Sequence, residues 1–463
     1  MTTAVTAATP AAADWPRAER DALGLFQDLL RIDTTNPPGN ETPAAELIAR
    51  TLASDGIEST LLGRTPERQN VIARLRGDGS QKPLLLNAHL DVVPVEGASW
   101  KHPPFAGEIH DGWVWGRGAV DMKNMAAMCV TVLKQLAREG VKLKRDVIFC
   151  GSCDEEAGSA EGAVWLVDHH PELIRAEYGL GEAGGFSLHL GGQTFFPVQV
   201  AQKGVVWLTM RARGEPGHGS VPRPQGAVPK LAQAITKLSN TRLPAHATPE
   251  LKTFIGGLAA GLKGAARAGL PLLATETLGP LALKAAGNTS FSRTFSALLA
   301  NTASPTVLRA GNKSNVHPSV AECVIDGRTL PGQTREMFLR ELRAVVGPEI
   351  ELDVFLEIEP AVFSSDTPLF ALIARTLSDL EPTAKVVPYL VPGFTDAFAF
   401  KRLGCTFYGF SPLKLPKGGP AFAELFHGHD ERAPVDGFLW GLRALYSVVR
   451  EFCAVSAPCS PPK

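Results

Sequence analysis

A chain of 463 residues is long enough for about two or three domains, and its 44% hydrophobic and 20% charged residues suit a soluble globular protein. Lys and Arg total 46 against 47 Asp and Glu, so a net charge of −1 gives no basis for nucleic acid or an anionic membrane as partner. Seven cysteines are an odd and small number for a disulfide framework, and the C-x-x-C of Cys150 and Cys153 has no second pair, so both read as ordinary thiols.

The first residues, MTTAVTAATPAAADWPRAER, lack a basic n-region, and Thr and Pro interrupt any apolar h-region. No run of 18 apolar residues follows, so a cytoplasmic chain with a loose tail over 1–13 is expected. Apolar spacing predicts helices over 15–31 and 43–54, separated by the turn-rich DTTNPPGNE. Strands follow at 70–76 and 84–93, then a helix over 121–139 and a strand at 146–150. Helices alternating with apolar strands indicate an α/β domain with a largely parallel, covered sheet, whose ligand site lies beyond the carboxyl ends of the strands. From about residue 203 the texture changes to period-two strands such as GVVWLTMRARGE and ELDVFLEIEP. The expected organisation is a catalytic domain from 14–202 and 361–455, interrupted by an α+β domain at 203–360, with a second loose tail at 456–463.

The strongest chemical feature is LLLNAHLDVVP, an apolar strand ending at His89 and Asp91. Two residues apart, they share one face if the strand continues, and a metal-bound imidazole commonly has a carboxylate behind it. Alone, the pair is as well explained by a core histidine beside a surface aspartate. WGRGAVDMKNM puts Asp121 at a turn-to-helix junction, where a carboxylate also serves as an N-cap. CGSCDEEAGS sets Asp154, Glu155 and Glu156 directly after a strand, a repulsive trio that divalent cations would turn to attraction. GLGEAGG offers Glu182, and FHGHDERAP offers His427 and His429. Each has a structural explanation. Together, each beside an expected strand end or turn, they point to a metal site.

H-x-D, G-R-G-x-x-D, E-E, G-E-A-G and a late G-H resemble the M20 family of metallopeptidases over roughly residues 20–450. The stretch from His89 to Met125 is most similar to its carboxypeptidase S and N-acyl-amino-acid hydrolase branch. The resemblance implies a zinc-peptidase-like catalytic domain, with a mixed, largely parallel sheet flanked by helices, and an inserted lid that also allows a homodimer. It implies two Zn²⁺, with Co²⁺ or Mn²⁺ able to substitute: one ion on His89, Asp121 and Glu182, the other on Asp121, Glu156 and His429, with His427 as a nearby competitor. Two Zn²⁺, three carboxylates and a bridging hydroxide sum to zero, and a neutral cluster costs less to bury. Glu155 would be the general base acting on that hydroxide's water, Asp91 would orient His89, and the Asp121–Met122 peptide would be cis.

In the lid, RGEPGHGSVP places His218 in a Gly-rich loop, from which the family's histidine stabilises the tetrahedral oxyanion. Asn315 and Arg328 match the family's N-[VI]-x-P and D-x-R elements, Arg328 being suited to a substrate carboxylate or, more plainly, to a salt bridge with Asp326. VPGFTDAFAF would bring Gly393 and Thr395 to the substrate backbone, with Asp396 mainly structural. The implied substrate is a small N-acyl amino acid or short peptide with a free carboxylate. A metal aminopeptidase and a non-catalytic ligand-binding relative are the alternatives.

Overall fold

The computed structural model describes residues 14–455, so both expected tails lie outside the described residues. The chain forms two compact units. One runs up to Val198 and takes in Ser364–Val386 and the stretch from Ala399 on; the other comprises Gln199–Phe363 and Val387–Phe398. The short segment 387–398 groups with the second unit, although its helix and strand pattern had suggested the first.

In the first unit, Trp15–Leu30 is helical because Ala18, Ala22, Leu25, Phe26 and Leu29 recur on one buried stripe, and the Asp14 carboxylate accepts the Arg17 N–H at its start. The helix Lys123–Arg138 is different, since every residue from Lys123 to Leu136 is buried. It packs between Trp15–Leu30, the long helix Val435–Cys453 and the sheet.

Four strands of the sheet run parallel in the order Val147–Ser152, Leu84–His89, Tyr178–Gly181 and Thr406–Gly409. Asn70–Leu75 and Ser59–Leu62 extend it antiparallel on the outer side of Val147–Ser152. Leu84–His89 and Val147–Ser152 are buried at every position, as strands covered on both faces must be. The expected strand over 84–93 stops at His89, and the chain leaves the sheet there. Because His89 pairs in register with Ser152, the ends of neighbouring parallel strands open at one level.

The second unit holds a four-stranded antiparallel sheet ordered Thr302–Ala310, Val320–Thr329, Gly204–Arg213 and Glu351–Ile358. Alternate residues Val206, Leu208, Met210 and Ala212, with Ala321, Cys323 and Ile325, pack against Leu231, Leu238, Phe338 and Leu342 of two helices. The period-two pattern of the sequence is this one buried face. Among the described residues, no helix is long and apolar enough to cross a membrane.

Candidate active site

Four of the expected residues sit at the openings of three adjacent parallel strands. His89 ends its strand, Glu182 follows Tyr178–Gly181 directly, and Glu155 and Glu156 begin the turn after Val147–Ser152. Asp154 turns that corner with a left-handed backbone, φ 68°. Asp121 comes from the turn before the buried helix Lys123–Arg138, and its peptide bond to Met122 is cis.

Ligand-capable atoms of His89, Asp121 and Glu182 lie within 4.8 Å of one another, as do those of Asp121, Glu156 and His427. Asp121 belongs to both groups. His89 Nε2 is 3.1 Å from Asp121 Oδ1 and 3.5 Å from Glu182 Oε2. His427 Nε2 is 3.2 Å from both Asp121 Oδ2 and Glu156 Oε2. Glu155 joins a third grouping with His89 and Glu156.

The histidine expected from the sequence, His429, is not in this cluster. The chain leaves the short helix Phe422–Leu425 and takes a left-handed turn at His427, φ 57°, which presents that ring to the carboxylates. Two residues on, the His429 ring reaches Glu96 Oε2 at 3.7 Å instead. The sequence offered two histidines two residues apart. The side a loop residue faces depends on backbone angles that the sequence does not print.

Asp91 meets His89 as expected and does more besides. The Nδ1–H of His89 is directed at the backbone carbonyl of Asp91, 3.0 Å away, leaving Nε2 for the cluster; the carboxylate oxygen is farther, at 3.6 Å. That carboxylate accepts the backbone N–H of Glu155 and of Glu156, each at 3.1 Å, and the Asn36 amide at 2.8 Å. Asp91 thus fixes the turn that carries both glutamates. A further buried layer lies behind it. Asn36 also donates to Asp154, while Arg68 bridges Glu41 and Asp154 at 2.6 and 2.9 Å. DTTNPPGNE was legible as a loop, but nothing in its spacing revealed Asn36 and Glu41 as partners of Asp154, over 100 positions away.

The electrostatics follow from crowding acids around two imidazoles. Burial opposes charge on His427, but Asp121 and Glu156 outweigh it and raise the ring to about 11. His89 is likewise raised, burial being overcome by Glu182, Asp121 and Asp91. Burial and the neighbouring Asp121 push Glu156 upward. The site strongly favours positive charge. Its donors fit a pair of divalent cations: imidazole nitrogens and carboxylate oxygens converge, and Glu156 Oε1 is buried with no hydrogen-bond partner. Thiolates are absent from the groups. Cys150 and Cys153 are buried and form no disulfide, and burial pushes the Cys153 thiol well up.

The second unit holds the remaining candidates. A two-residue ribbon pairs Gly217–His218 with Val316–His317, with His218 opposite Val316 and the next N–H, that of Gly219, donating to the Asn315 carbonyl at 2.8 Å. His218 and Asn315 are both exposed, and His218 Nδ1 lies 2.8 Å from Ser220 Oγ. Arg328 forms a two-point pair with Asp326, Nε at 2.6 Å and Nη2 at 3.0 Å. Trp207 Nε1 donates to the same carboxylate, and the guanidinium lies over the Trp207 and Phe394 rings. Gly393 accepts the Lys203 N–H through its carbonyl. Thr395 is almost wholly buried, its hydroxyl donating to Gln202 Oε1 and accepting from the Ala397 N–H. It is a packing and turn residue here, not an open substrate contact.

Residues 85–451 match the peptidase family M20/M25/M40. The chain belongs to the M20 peptidase family. It is 29% identical over 381 residues to a probable carboxypeptidase S-like 2 of Dictyostelium discoideum, covering 78% of this chain and 70% of that protein. It is 29% identical over 374 residues to the N-fatty-acyl-amino acid synthase/hydrolase PM20D1 of Xenopus tropicalis, covering 77% and 69%. The fold is that of solved M20 structures. The M20 metallo-carboxypeptidase of Sulfolobus solfataricus superposes with a TM-score of 0.69 at 18% identity, covering 93% of this chain and 98% of that one. Human carnosine dipeptidase 1 gives 0.70 at 14% identity, covering 96% and 99%. The protein is therefore an M20 hydrolase with a candidate metal site.

Proposed function

We propose that this M20 enzyme cleaves the amide bond of an N-acyl amino acid or short peptide bearing a free carboxylate, using two zinc ions. The observation that carries the proposal is the pair of donor groups sharing Asp121. His89, Asp121 and Glu182 would hold one ion; Asp121, Glu156 and His427 the other. Such ions would polarise the scissile carbonyl and lower the pKa of an attacking water.

The chain's own residues do the rest. The His89 Nδ1–H bonded to the Asp91 carbonyl selects the tautomer with its Nε2 lone pair facing the site. Glu155 takes the proton from the attacking water onto its carboxylate and passes it to the leaving nitrogen. Its backbone N–H on Asp91 holds it in place while its neighbour Glu156 serves the cation. Arg328 supplies carboxylate recognition. The pair with Asp326 takes Nε–H and one Nη2–H, and a guanidinium has five N–H donors, so its far edge stays available for a second, bidentate partner. The ion pair expected as the plain alternative is then the device that orients the arginine. Two relatives, named as a carboxypeptidase S-like protein and an N-fatty-acyl-amino acid synthase/hydrolase, support this substrate class.

The test is release of free amino acid by zinc-loaded enzyme from a panel of N-acyl amino acids and dipeptides, with aminoacyl anilides alongside. Release from carboxylate-bearing substrates supports the proposal. Turnover of the anilides alone would move the enzyme to the aminopeptidases.

A further inference from the structure

Glu431 was passed over in the sequence as one more acid after the histidines, yet it is completely buried. Each of its carboxylate oxygens receives two donors. Oε2 accepts from Arg117 Nη1 at 2.7 Å and the Gly118 N–H at 3.1 Å. Oε1 accepts from the Val120 N–H at 2.8 Å and the Asp121 N–H at 3.1 Å. The Gly116 N–H bonds the Glu431 carbonyl at 3.0 Å, and Arg432–Pro434 then pairs with Trp113–Trp115. The whole turn 116–121 is wrapped around one side chain. Gly118 makes this wrapping feasible with a φ of +89°, where a Cβ would also sit 2.9 Å from the Val92 side chain.

Asp91 is the counterpart across the cluster. Neither carboxylate belongs to a donor group, and each collects backbone N–H groups from a turn that bears candidate ligands. Asp91 sets Glu155 and Glu156. Glu431 sets Asp121, and it lies four residues from His427 on the same loop. Charge-assisted bonds to a buried carboxylate are among the stronger fixings available to a turn.

We infer that Glu431 is a positioning residue that locks Asp121 and His427 to each other and so builds the cation site of Asp121, Glu156 and His427. This rests on the two-metal reading above. Two of that site's three donors depend on Glu431, against one of three in the group of His89, Asp121 and Glu182. Losing the carboxylate should therefore weaken the two ions unequally.

The experiment is Zn²⁺ titration of metal-free protein against a chelating indicator, for wild type and Glu431→Gln, with the melting temperature of each metal-free protein. In the variant an amide NH₂ must face two donors whichever way it turns. The expected result is two ions in wild type and one weakened by about 10- to 100-fold in the variant, with the other changed far less. Glu431→Asp keeps the charge but withdraws it by one methylene; it should show the same unequal loss, smaller in size, and it carries the test if the Gln variant does not fold. Two ions bound with wild-type affinity in both variants would overturn the inference alone. Equal weakening of both ions with a lowered metal-free melting temperature would also overturn it, leaving Glu431 a general structural residue. Wild-type protein that binds fewer than two ions would overturn the function proposed above together with this inference.

Discussion

In the first unit, His89, Asp121, Glu156, Glu182 and His427 come from five separate segments, yet their polar atoms point at one another. In the second, the residues expected to serve the reaction spend their polar atoms on near neighbours: His218 on Ser220, Arg328 on Asp326, Thr395 on Gln202. Like-charged acids whose oxygens lie within 4.8 Å of one another are costly unless cations offset them, whereas an Arg–Asp pair or a buried hydroxyl bond is content by itself. The first unit is thus organised around something it must bind. In the second, the corresponding side chains are already paired within the unit.

The largest effect should come from the residue closest to the proton being moved. Glu155→Ala is expected to lower amino-acid release by about a thousandfold or more, with zinc content unchanged by metal analysis. Wild-type-like turnover would remove Glu155 from the mechanism. Next come the two neighbouring histidines. His427→Ala should weaken one Zn²⁺ by at least about 100-fold, while His429→Ala should leave both ions and turnover within about twofold. The reverse outcome in a chelator titration would restore His429 as ligand and put the His427 turn in error.

That histidine pair also marks how far the sequence could be read. Residues at strand ends were legible, because an apolar run such as Leu84–His89 declares its own end and the parallel order brings such ends together. His89, Glu156 and Glu182 were singled out in this way, Asp121 by its turn before a helix, and the strand Gly204–Arg213 by its alternation; the structure brings the four side chains together. What stayed hidden depends on loop backbone and on distant pairing. His427 was ranked below His429, Asp91 was given only its His89 role although its carboxylate also holds the turn of Glu155 and Glu156, and Glu431 had no signal because its four donors lie 310 or more positions away. Arg328 was left between a substrate role and a salt bridge; the structure shows the pair with Asp326.

Arg328 accordingly gives a smaller and more selective effect. Arg328→Lys keeps a charge beside Asp326 but loses the planar fork. KM for carboxylate-bearing substrates is expected to rise about tenfold, with kcat changed much less, and the corresponding substrate amides should be cleaved as poorly by both proteins. An unchanged KM would reduce the Arg328–Asp326 pair to a structural contact.

The smallest effect tests a feature the two units share. Each buries one lysine against carbonyls at the end of a helix: Lys123 donates to Leu29 and Ile32 after Trp15–Leu30, and Lys203 to Ala297, Ala300 and the Thr302 hydroxyl after Ser290–Leu299. Helix ends attract cations, but burial dominates and lowers both ammonium groups to about 7. A lysine lowered in the folded state binds fewer protons there than in the unfolded chain between about 7 and its ordinary value of 10.5. Stability should therefore rise with pH across that window and level off below it. Lys203→Met removes one such group, so urea unfolding at pH 7.5 and 9.5 should show a shallower rise, by at most about 1.4 kcal/mol per pH unit. If the slope is unchanged, the three oxygens around Lys203 hold its charge through this range, and the helix end outweighs burial after all.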